Sequence, residues 1–586
     1  MKNILKCLTV RNLIIMMIII MLIIAQVKLD LLIPGYIARI TAYLQSENNN
    51  MSELIKLGLL MLLFAFLSLI VSVLYVILNS RVGSDYSSSL RKALFYKVQD
   101  MSIEEEHKFT VSSLITRTTN DIRHIELFFL SCIQMLIHAP ILGGGALVKI
   151  LALDYHWSIV TGIAASILII VMVIVLSLTM KRFRRVQLLT DDLNTVTRES
   201  IIGMQTLRAY NAEWYHEKRF NTINDELTNT NIFNRVVLAL LNPFLMFLMN
   251  VVTLSIYCIG MMLIGNAAPD EKVELFSNMI AFSSYALQLG TAFMMLFAAF
   301  LDIPQAMVSI KRISEVLDSE DMLKNGDFKG IEVDGAETEL DFYNVSFKYS
   351  NGNDNVLDNI SFKAKKGETV AVVGSTGCGK TTLVNLIPRF YDATSGAIKL
   401  NGIDLKKYDQ KALRDKIGFI PQKTYLLSGT VASNVAYSSD INDIDDVRVY
   451  EAVKIANLDT YINDLDDGIY GSIAKNGANL SGGQRQRLSI ARAIYKNPEI
   501  IVFDDSFSAL DYKTDLSVRK ALKEKYRNAI KIIVAQRVNT VKDADKIIVL
   551  EKGRMAGIGT HNELLENCEV YQQIVASQLS KEEISE

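Results

Sequence analysis

The chain contains Gly374-Ser375-Thr376-Gly377-Cys378-Gly379-Lys380-Thr381, a glycine-rich segment that ends in Lys-Thr. The apolar residues 369–373 before it are typical of a strand, and residues 382–387 after it are compatible with a helix. Glycines let backbone N–H groups converge on an anion, and a helix N-terminus adds partial positive charge. The pattern therefore predicts a phosphate-binding loop, in which Lys380 reaches the β and γ phosphates and Thr381 contacts Mg²⁺.

A second segment further along the chain, Leu480-Ser481-Gly482-Gly483-Gln484, is also suited to a phosphate. It offers a serine hydroxyl, two amides without a side chain in the way, and a helix N-terminus. With both segments, the chain resembles the ATP-binding cassette (ABC) transporters, and among them the half-transporter exporters of the multidrug and lipid type. The resemblance implies ATP and Mg²⁺ as cofactors. It also implies that residues 480–484 act across a dimer interface.

Three further positions match the family. Tyr349 resembles the aromatic residue that stacks on adenine, and Gln422 resembles the loop glutamine that touches Mg²⁺ and faces the membrane domain. Asp504 resembles the carboxylate that holds Mg²⁺ through water. The implied metal ligands are Thr381, Gln422 and Asp504. The implied nucleotide-binding residues are Tyr349, Gly374, Ser375, Thr376, Gly377, Cys378, Gly379, Lys380, Thr381, Thr382, Ser481, Gly482, Gly483 and Gln484.

Two positions depart from the family pattern. Asp505 stands where the family usually has the glutamate that orients the attacking water, so the carboxylate is one methylene shorter. Gln536 stands where the family usually has a histidine, and an amide never carries the imidazolium charge. Because general base catalysis depends on hydrogen-bond contact, such a displacement costs rate. With Gln422, these residues form the predicted catalytic set, and the set is predicted to be weakened.

The departures favour a heterodimer. In this family each ATP lies between the phosphate loop of one subunit and residues equivalent to 480–484 of the other. The altered Asp505 and Gln536 belong to the site of this chain's own phosphate loop, whereas Ser481 would complete the site of a partner half-transporter. A homodimer would contain two impaired sites. Lys475, where such exporters usually show glutamate, is compatible with an adapted interface.

The first half of the chain is apolar. The whole protein is 50% hydrophobic with mean hydropathy +0.23, and a bilayer core needs about 20 apolar residues per helix. Candidate spans lie near 12–34, 56–79, 127–152, 157–178, 236–264 and 274–300. We therefore expect an all-α six-helix transmembrane domain at 1–316 and a linker at 317–337. An α/β nucleotide-binding domain with a parallel-strand core is expected at 338–586.

The distribution of positive charge predicts the orientation. Lysine and arginine are frequent between spans two and three and after span four, and they are scarce near 153–156 and 265–273. Both long connections and both termini are then cytoplasmic, in a multi-pass protein of the cell membrane. Coupling helices are expected near 103–114 and 203–213, at the tips of the long connections.

Composition excludes some classes of partner and site. A net charge of −2 without a basic, aromatic-interleaved patch argues against nucleic acid. The five cysteines are scattered, which makes disulfides and a metal site improbable.

The substrate is less defined by the sequence. Several polar residues in spans five and six would suit a cavity for amphipathic small molecules, but interhelical hydrogen bonding explains them equally well. These residues are Asn242, Asn250, Ser283, Ser284, Tyr285, Gln288 and Thr291. The resemblance favours export of drugs or lipids. Two alternatives stay open: an importer with the exporter architecture, and a membrane regulator that binds ATP with little pumping.

Overall fold

The structure, a computed structural model, describes residues 2–45, 51–153, 155–319, 323–330, 338–350, 352–439 and 443–578. The chain forms two compact units. One comprises Met1–Asp100 and Val111–Ser319, and the other comprises Met101–Thr110 and Glu320–Glu586. Residues 320–322 and 331–337 of the predicted linker lie outside the described residues.

The first unit is entirely helical. In the part that the structure describes, six helical segments are long and apolar enough to cross a membrane. They are Val10–Gln45 (α2), Met51–Asp100 (α3), Val111–Leu151 (α5 to α7), Tyr155–Ile202 (α8), Glu213–Asn266 (α10) and Pro269–Leu317 (α11). Only 11 to 29% of the residues in their apolar windows are buried, so most apolar side chains face outward, as lipid requires. The prediction of six spans is confirmed.

The third span is not one uniform helix. It consists of α5 (Val111–Thr116), α6 (Ile122–Leu127) and α7 (Ile133–Leu151), joined by π-helical turns at Arg117–Asp121 and Phe128–Cys132. Such turns insert an extra residue into the helical hydrogen-bond pattern.

Three short helices complete the helical elements of the first half of the chain: α1 (Lys2–Lys6), α4 (Ile103–Lys108) and α9 (Met204–Ala209). The segments predicted as coupling helices thus contain α4 and α9. Helix α4 begins with a capping box, in which Ser102 and Glu105 exchange side-chain and backbone hydrogen bonds.

The second unit contains a parallel sheet, as predicted. Its strand order is β12-β11-β3-β10-β9-β6, and only the β12 edge pairs antiparallel. These strands are β3 (Thr369–Gly374), β6 (Ile417–Ile420), β9 (Ile500–Asp504), β10 (Ile530–Val534), β11 (Lys546–Glu551) and β12 (Arg554–Gly559). Every residue of β9 and β10 is buried, and apart from Asp504 and Lys531 all of these residues are apolar.

Antiparallel strands form the rest of the sheet structure. A four-stranded sheet has the order β2-β1-β4-β5, and β7 pairs with β8. The strands are β1 (Glu339–Phe347), β2 (Leu357–Lys365), β4 (Ser395–Leu400), β5 (Ile403–Asp404), β7 (Gly429–Thr430) and β8 (Ser472–Ile473).

Besides α4, which belongs to this unit, nine α-helices lie within its described residues. They are α12 (Lys380–Asn385), α13 (Gln410–Asp415), α14 (Val431–Val435), α15 (Asp446–Ile455), α16 (Asp459–Asn463), α17 (Gly482–Tyr495), α18 (Tyr512–Lys525), α19 (His561–Asn567) and α20 (Glu569–Gln578). The parallel order places the carboxyl ends of β3, β9 and β10 at one edge of the sheet, where a ligand site forms in such folds.

Candidate functional site

The predicted phosphate loop connects β3 to α12. Gly374 ends the strand with φ 154°, and a Cβ there would lie 2.3 Å from the carbonyl oxygen of Leu550. Gly379 caps α12 in the left-handed region, with φ 102°. At these two positions only glycine fits without strain. The amino group of Lys380 donates to the carbonyl oxygens of Gly374 and Ser375, over 2.8 Å each, so the lysine lies within the curve of the loop.

The loop is joined to the end of β9. The Thr381 hydroxyl donates to Oδ1 of Asp504 over 3.0 Å. Asp504 is only 3% exposed, and this burial raises the pKa of its carboxyl above the ordinary value, an effect to which the nearby Asp505 carboxylate adds. The Thr381 hydrogen bond and the charge of Lys380 act in the opposite direction. A hydroxyl and a carboxylate therefore meet where the sequence predicts Mg²⁺.

The two residues that depart from the family pattern meet each other. Asp505 has φ 50°, a left-handed conformation that aspartate tolerates better than most residues. Its Oδ2 accepts hydrogen bonds from Nε2 of Gln422 over 3.2 Å and from Nε2 of Gln536 over 2.9 Å. Burial raises the pKa of the Asp505 carboxyl, and these hydrogen bonds oppose that rise. The three predicted catalytic residues thus form one hydrogen-bonded group.

Tyr349 lies beside the first turn of α12. Its hydroxyl is 3.0 Å from that of Thr382, and its ring meets Phe347 and Tyr391 edge to face, with centroids 4.8 and 5.3 Å away. These contacts hold the half-buried ring next to the phosphate loop, where a base attached to the bound phosphates would lie.

Residues 480–484 begin α17. Ser481 caps this 14-residue helix: its hydroxyl accepts from the Gln484 N–H over 3.2 Å, and the Gln484 amide oxygen accepts from the Ser481 N–H over 2.8 Å. Gly482 has no atom within 4 Å of where a Cβ would lie, so the surface above this helix end is open. An open helix N-terminus with a serine cap is suited to an anion.

The structure does not bring this helix end to the phosphate loop. Among the residues that it describes, no hydrogen bond or ion pair joins residues 481–484 to Lys380, Thr381, Asp504 or Asp505. An indirect link runs through the segment after Gln422, because the Thr424 hydroxyl donates to Gln486 of α17 over 2.8 Å. The predicted site residues therefore form two separate groups within the second unit.

Lys475 is exposed in a short helical turn before α17. In the part of the chain that the structure describes, it forms no ion pair. Its charge is therefore available on the surface.

One residue that supports the site was missed in the sequence analysis. Gln578, the last residue of α20, holds the backbone that follows β10: its Nε2 donates to the Gln536 carbonyl over 2.7 Å, and its Oε1 accepts from the Val538 N–H over 2.9 Å. A lone glutamine in a surface helix carries no pattern that would reveal such a contact. Only the fold places it there.

The residues fit a magnesium-bound nucleotide. The loop holds the Lys380 ammonium within its curve, and the buried Asp504 carboxyl, whose charged form is disfavoured by burial, would be stabilised by a divalent cation. Thr381, Gln422 and Asp504 would hold Mg²⁺, which supplies neutralising charge at the β and γ phosphates.

Two known families match parts of this chain. The family described as "ABC transporter" matches residues 357–508, which include the phosphate loop, residues 480–484 and Asp505. The family described as "ABC transporter transmembrane region" matches residues 16–293. ATP binding, normally with Mg²⁺, is implied by the first of these families.

Relatives match over most of the chain. An uncharacterized ABC transporter ATP-binding protein of Mycobacterium tuberculosis is 34% identical over 528 residues, which cover 90% of each protein. An ATP-dependent lipid A-core flippase of Syntrophus aciditrophicus is 29% identical over 516 residues, covering 87% of this chain and 83% of the flippase.

A solved structure, described as a bacterial Atm1-family ABC exporter with ATP bound, has the same fold. It covers 98% of this chain with a TM-score of 0.80 at 23% identity. Six apolar helices and this fold indicate a multi-pass membrane protein. The chain therefore belongs to the ABC transporters, with the transmembrane region and the ATP-binding domain in one polypeptide.

Proposed function

We propose that this protein is one half of a heterodimeric ABC exporter, in which its own phosphate-loop site is hydrolytically weak and its residues 480–484 complete the active site of the partner. The observation that carries the proposal is the hydrogen bond from Gln536 to Asp505, set against the intact cap of α17. The group around Asp505 lacks both the longer carboxylate of glutamate and the imidazole of histidine. Residues 481–484 keep every feature that a γ-phosphate would contact.

The weak site follows from the chemistry of the two substituted residues. Asp505 already receives two amide hydrogen bonds at one oxygen, so that oxygen is less available to a water. Its shorter side chain also ends farther from the γ-phosphate than a glutamate would. A displacement of about 1 Å at a reacting centre costs on the order of 100-fold in rate. ATP would be held at this site by Tyr349 and residues 374–382, and hydrolysed slowly.

The transported substrate is an amphipathic molecule, such as a drug or a lipid. This part of the proposal is supported by the lipid A-core flippase relative and by the outward-facing apolar helices. The nucleotide-binding domain and both termini lie in the cytoplasm, because the cations of the connections before α5 and after the apolar part of α8 follow the positive-inside rule.

ATP hydrolysis tests the assignment of the two groups. The full chain is purified alone and together with a half-transporter that has glutamate and histidine at the corresponding positions. We expect the mixture to hydrolyse ATP at least about 10-fold faster than this chain alone, since a positioned general base is worth about 100-fold or more in rate. Vigorous hydrolysis by this chain alone would overturn the heterodimer. An ATP-binding regulator would instead show slow hydrolysis in both samples.

Substitutions then distinguish the two sites in the mixture. Ser481→Arg fills the helix end that serves the partner and should abolish turnover, whereas Asp505→Asn should leave most of it. Thr560→Arg is the matched control, because Thr560 caps α19 through the same kind of capping box outside the site. It costs about 1 kcal/mol of cap stability without touching nucleotide. Equal damage from Ser481→Arg and Asp505→Asn would show that the sites are assigned to the wrong subunits.

A further inference from the structure

An aspartate lies within the first membrane-spanning helix. The Asp30 carboxylate accepts a hydrogen bond from the Ser68 hydroxyl of α3 over 2.5 Å. In the described part of the chain, no lysine or arginine forms an ion pair with it. Ionisable groups inside a bilayer are costly, and they commonly mark a substrate or ion pathway.

The contacts of Asp30 place it among the apolar membrane-spanning helices. Ser68 lies near the middle of the predicted span 56–79, and Gln288, which contacts the Asp30 backbone, lies near the middle of the span 274–300. His138, which is buried, lies near the middle of the span 127–152. Helices α3 and α11 therefore contact Asp30 at residues near the middle of their own predicted spans, although Asp30 itself lies four residues before the end of the span 12–34.

Pro34 removes one backbone hydrogen bond from α2 next to Asp30. Pro34 has no N–H, so the carbonyl oxygen of Asp30, four residues earlier, lacks its helical donor. Gln288 fills the gap by donating from Nε2 over 3.1 Å, and Tyr285 donates its hydroxyl to the next carbonyl, that of Leu31, over 3.1 Å. Side chains of α11 thus support an interrupted stretch of α2, as membrane proteins require wherever backbone groups are freed.

Several buried atoms beside this stretch have no hydrogen-bond partner. Nε2 of His138, which is only 7% exposed, and Oε1 of Gln288 are both unpaired within the described residues. Oε1 of Gln26, one turn before Asp30 on α2, is unpaired as well. Buried acceptors without donors are unfavourable unless a bound group supplies the donors. The two glutamine oxygens are acceptors, and Nε2 of His138 is one as well in the tautomer that carries its proton on Nδ1.

We propose that Asp30, His138 and Gln288 form a binding site for the ammonium group of a lipophilic amine. An alkylammonium carries three N–H donors and one positive charge, which match the acceptors and the charge of this site. Its hydrocarbon body would lie among the apolar side chains of α2, α7 and α11. The link to transport rests on the proposed function: the substrate of the proposed exporter would be an amphipathic cation. The binding site itself does not depend on it.

Binding of monodansylcadaverine, a fluorescent primary amine, tests the site directly. The full chain is placed in lipid nanodiscs without nucleotide or partner, and fluorescence is compared with empty nanodiscs. We expect saturable binding of the amine and none of its uncharged N-acetyl derivative. Asp30→Asn, which keeps the size of the side chain and its contact with Ser68, should weaken binding by about 10-fold or more, as expected for losing a charged hydrogen bond.

Two further variants separate charge from structure. Asp30→Glu keeps the carboxylate and should retain most of the affinity. Asp192→Asn removes a carboxylate on an exposed part of α8 and should bind like the wild type. Equal affinities of the wild type and Asp30→Asn, or no saturable binding to the wild type, would overturn the proposal, as would equal losses in Asp30→Asn and Asp30→Glu. Because neither ATP nor a partner is present, failure of the heterodimer would leave this result unaffected.

Discussion

The side-chain amide of Gln536 donates to Oδ2 of Asp505 over 2.9 Å, so the two residues to which we attribute a weak site contact each other directly. A histidine at 536 and a glutamate at 505 would instead place a chargeable ring and a longer carboxylate in this space. Gln422 donates to the same oxygen. The proposed weakness of the site would therefore be a property of the group, and substitutions at these positions should act non-additively.

The first prediction concerns recovery of hydrolysis. Asp505→Glu should raise the steady-state ATPase of the chain alone by about 10- to 100-fold, because it returns the carboxylate to the length that can orient water. Gln536→His added to it should raise the rate further, and by more than it does alone. The measurement is phosphate release by the purified chain at saturating Mg-ATP.

Lys380→Ala in the Asp505→Glu background is the control for the first prediction. The lysine belongs to the phosphate loop, so the recovered activity must disappear with it. Activity that survives this change would come from a contaminating enzyme. An unchanged rate in Asp505→Glu would show that the missing methylene does not limit hydrolysis.

The second prediction concerns the support given by Gln578. Gln578→Ala removes both hydrogen bonds that hold the backbone at Gln536 and Val538. The Val538 amide should then exchange its hydrogen about 5- to 10-fold faster in the nucleotide-free chain, since one hydrogen bond contributes about 1 kcal/mol. Hydrogen exchange with mass spectrometry over the peptide after β10 measures this.

Gln573→Ala is the matched control for the second prediction. Gln573 lies on the same helix, and its amide only reaches Glu569 over 3.4 Å. Exchange at Val538 should be unchanged in this variant. If Gln578→Ala also leaves exchange unchanged, the segment is held by its own packing and Gln578 has no positioning role.

The sequence was sufficient for the arrangement of elements and for the phosphate loop. Glycines, Lys380 and the flanking apolar runs act locally, and apolar length alone predicts the six spans. The sequence alone could not predict that Asp505 and Gln536 are in contact, because this contact depends on β9 and β10 being neighbours in the sheet.

The group around Asp30 was missed for a different reason. Its members come from four separate spans, and in a single span each polar residue resembles an ordinary interhelical contact. Of the polar residues singled out in spans five and six, Tyr285 and Gln288 do bond to α2, whereas Ser284 and Thr291 bond to carbonyls of their own helix. One signal was available: an aspartate four residues before a proline inside an apolar helix.

The third prediction concerns pH. Burial and the neighbouring Asp505 carboxylate raise the pKa of Asp504, and Mg²⁺ binds the deprotonated form. The affinity for Mg²⁺ with a non-hydrolysable ATP analogue should therefore fall as pH drops through this raised pKa, at a higher pH than an exposed aspartate would require. Asp505→Asn removes the nearby negative charge, which lowers the pKa of Asp504. The midpoint of the affinity profile should then move to lower pH.

Calorimetric titration with Mg²⁺ over a series of pH values measures the third prediction. Asp466→Asn, which removes an exposed carboxylate elsewhere in the second unit, should leave the midpoint unchanged. A midpoint that stays in place or rises in Asp505→Asn would contradict the assigned coupling between the two carboxylates.

The fourth prediction concerns Pro34 and Gln288. Gln288→Leu leaves the Asp30 carbonyl without a donor, because Pro34 cannot supply one, and should lower the free energy of unfolding by about 1 kcal/mol. In a Pro34→Ala background, the N–H of residue 34 becomes the helical donor for that carbonyl. Gln288→Leu should then cost at least about 0.5 kcal/mol less. Titration with a denaturing detergent measures all four proteins, and additive effects would mean that Gln288 contributes only packing at this depth.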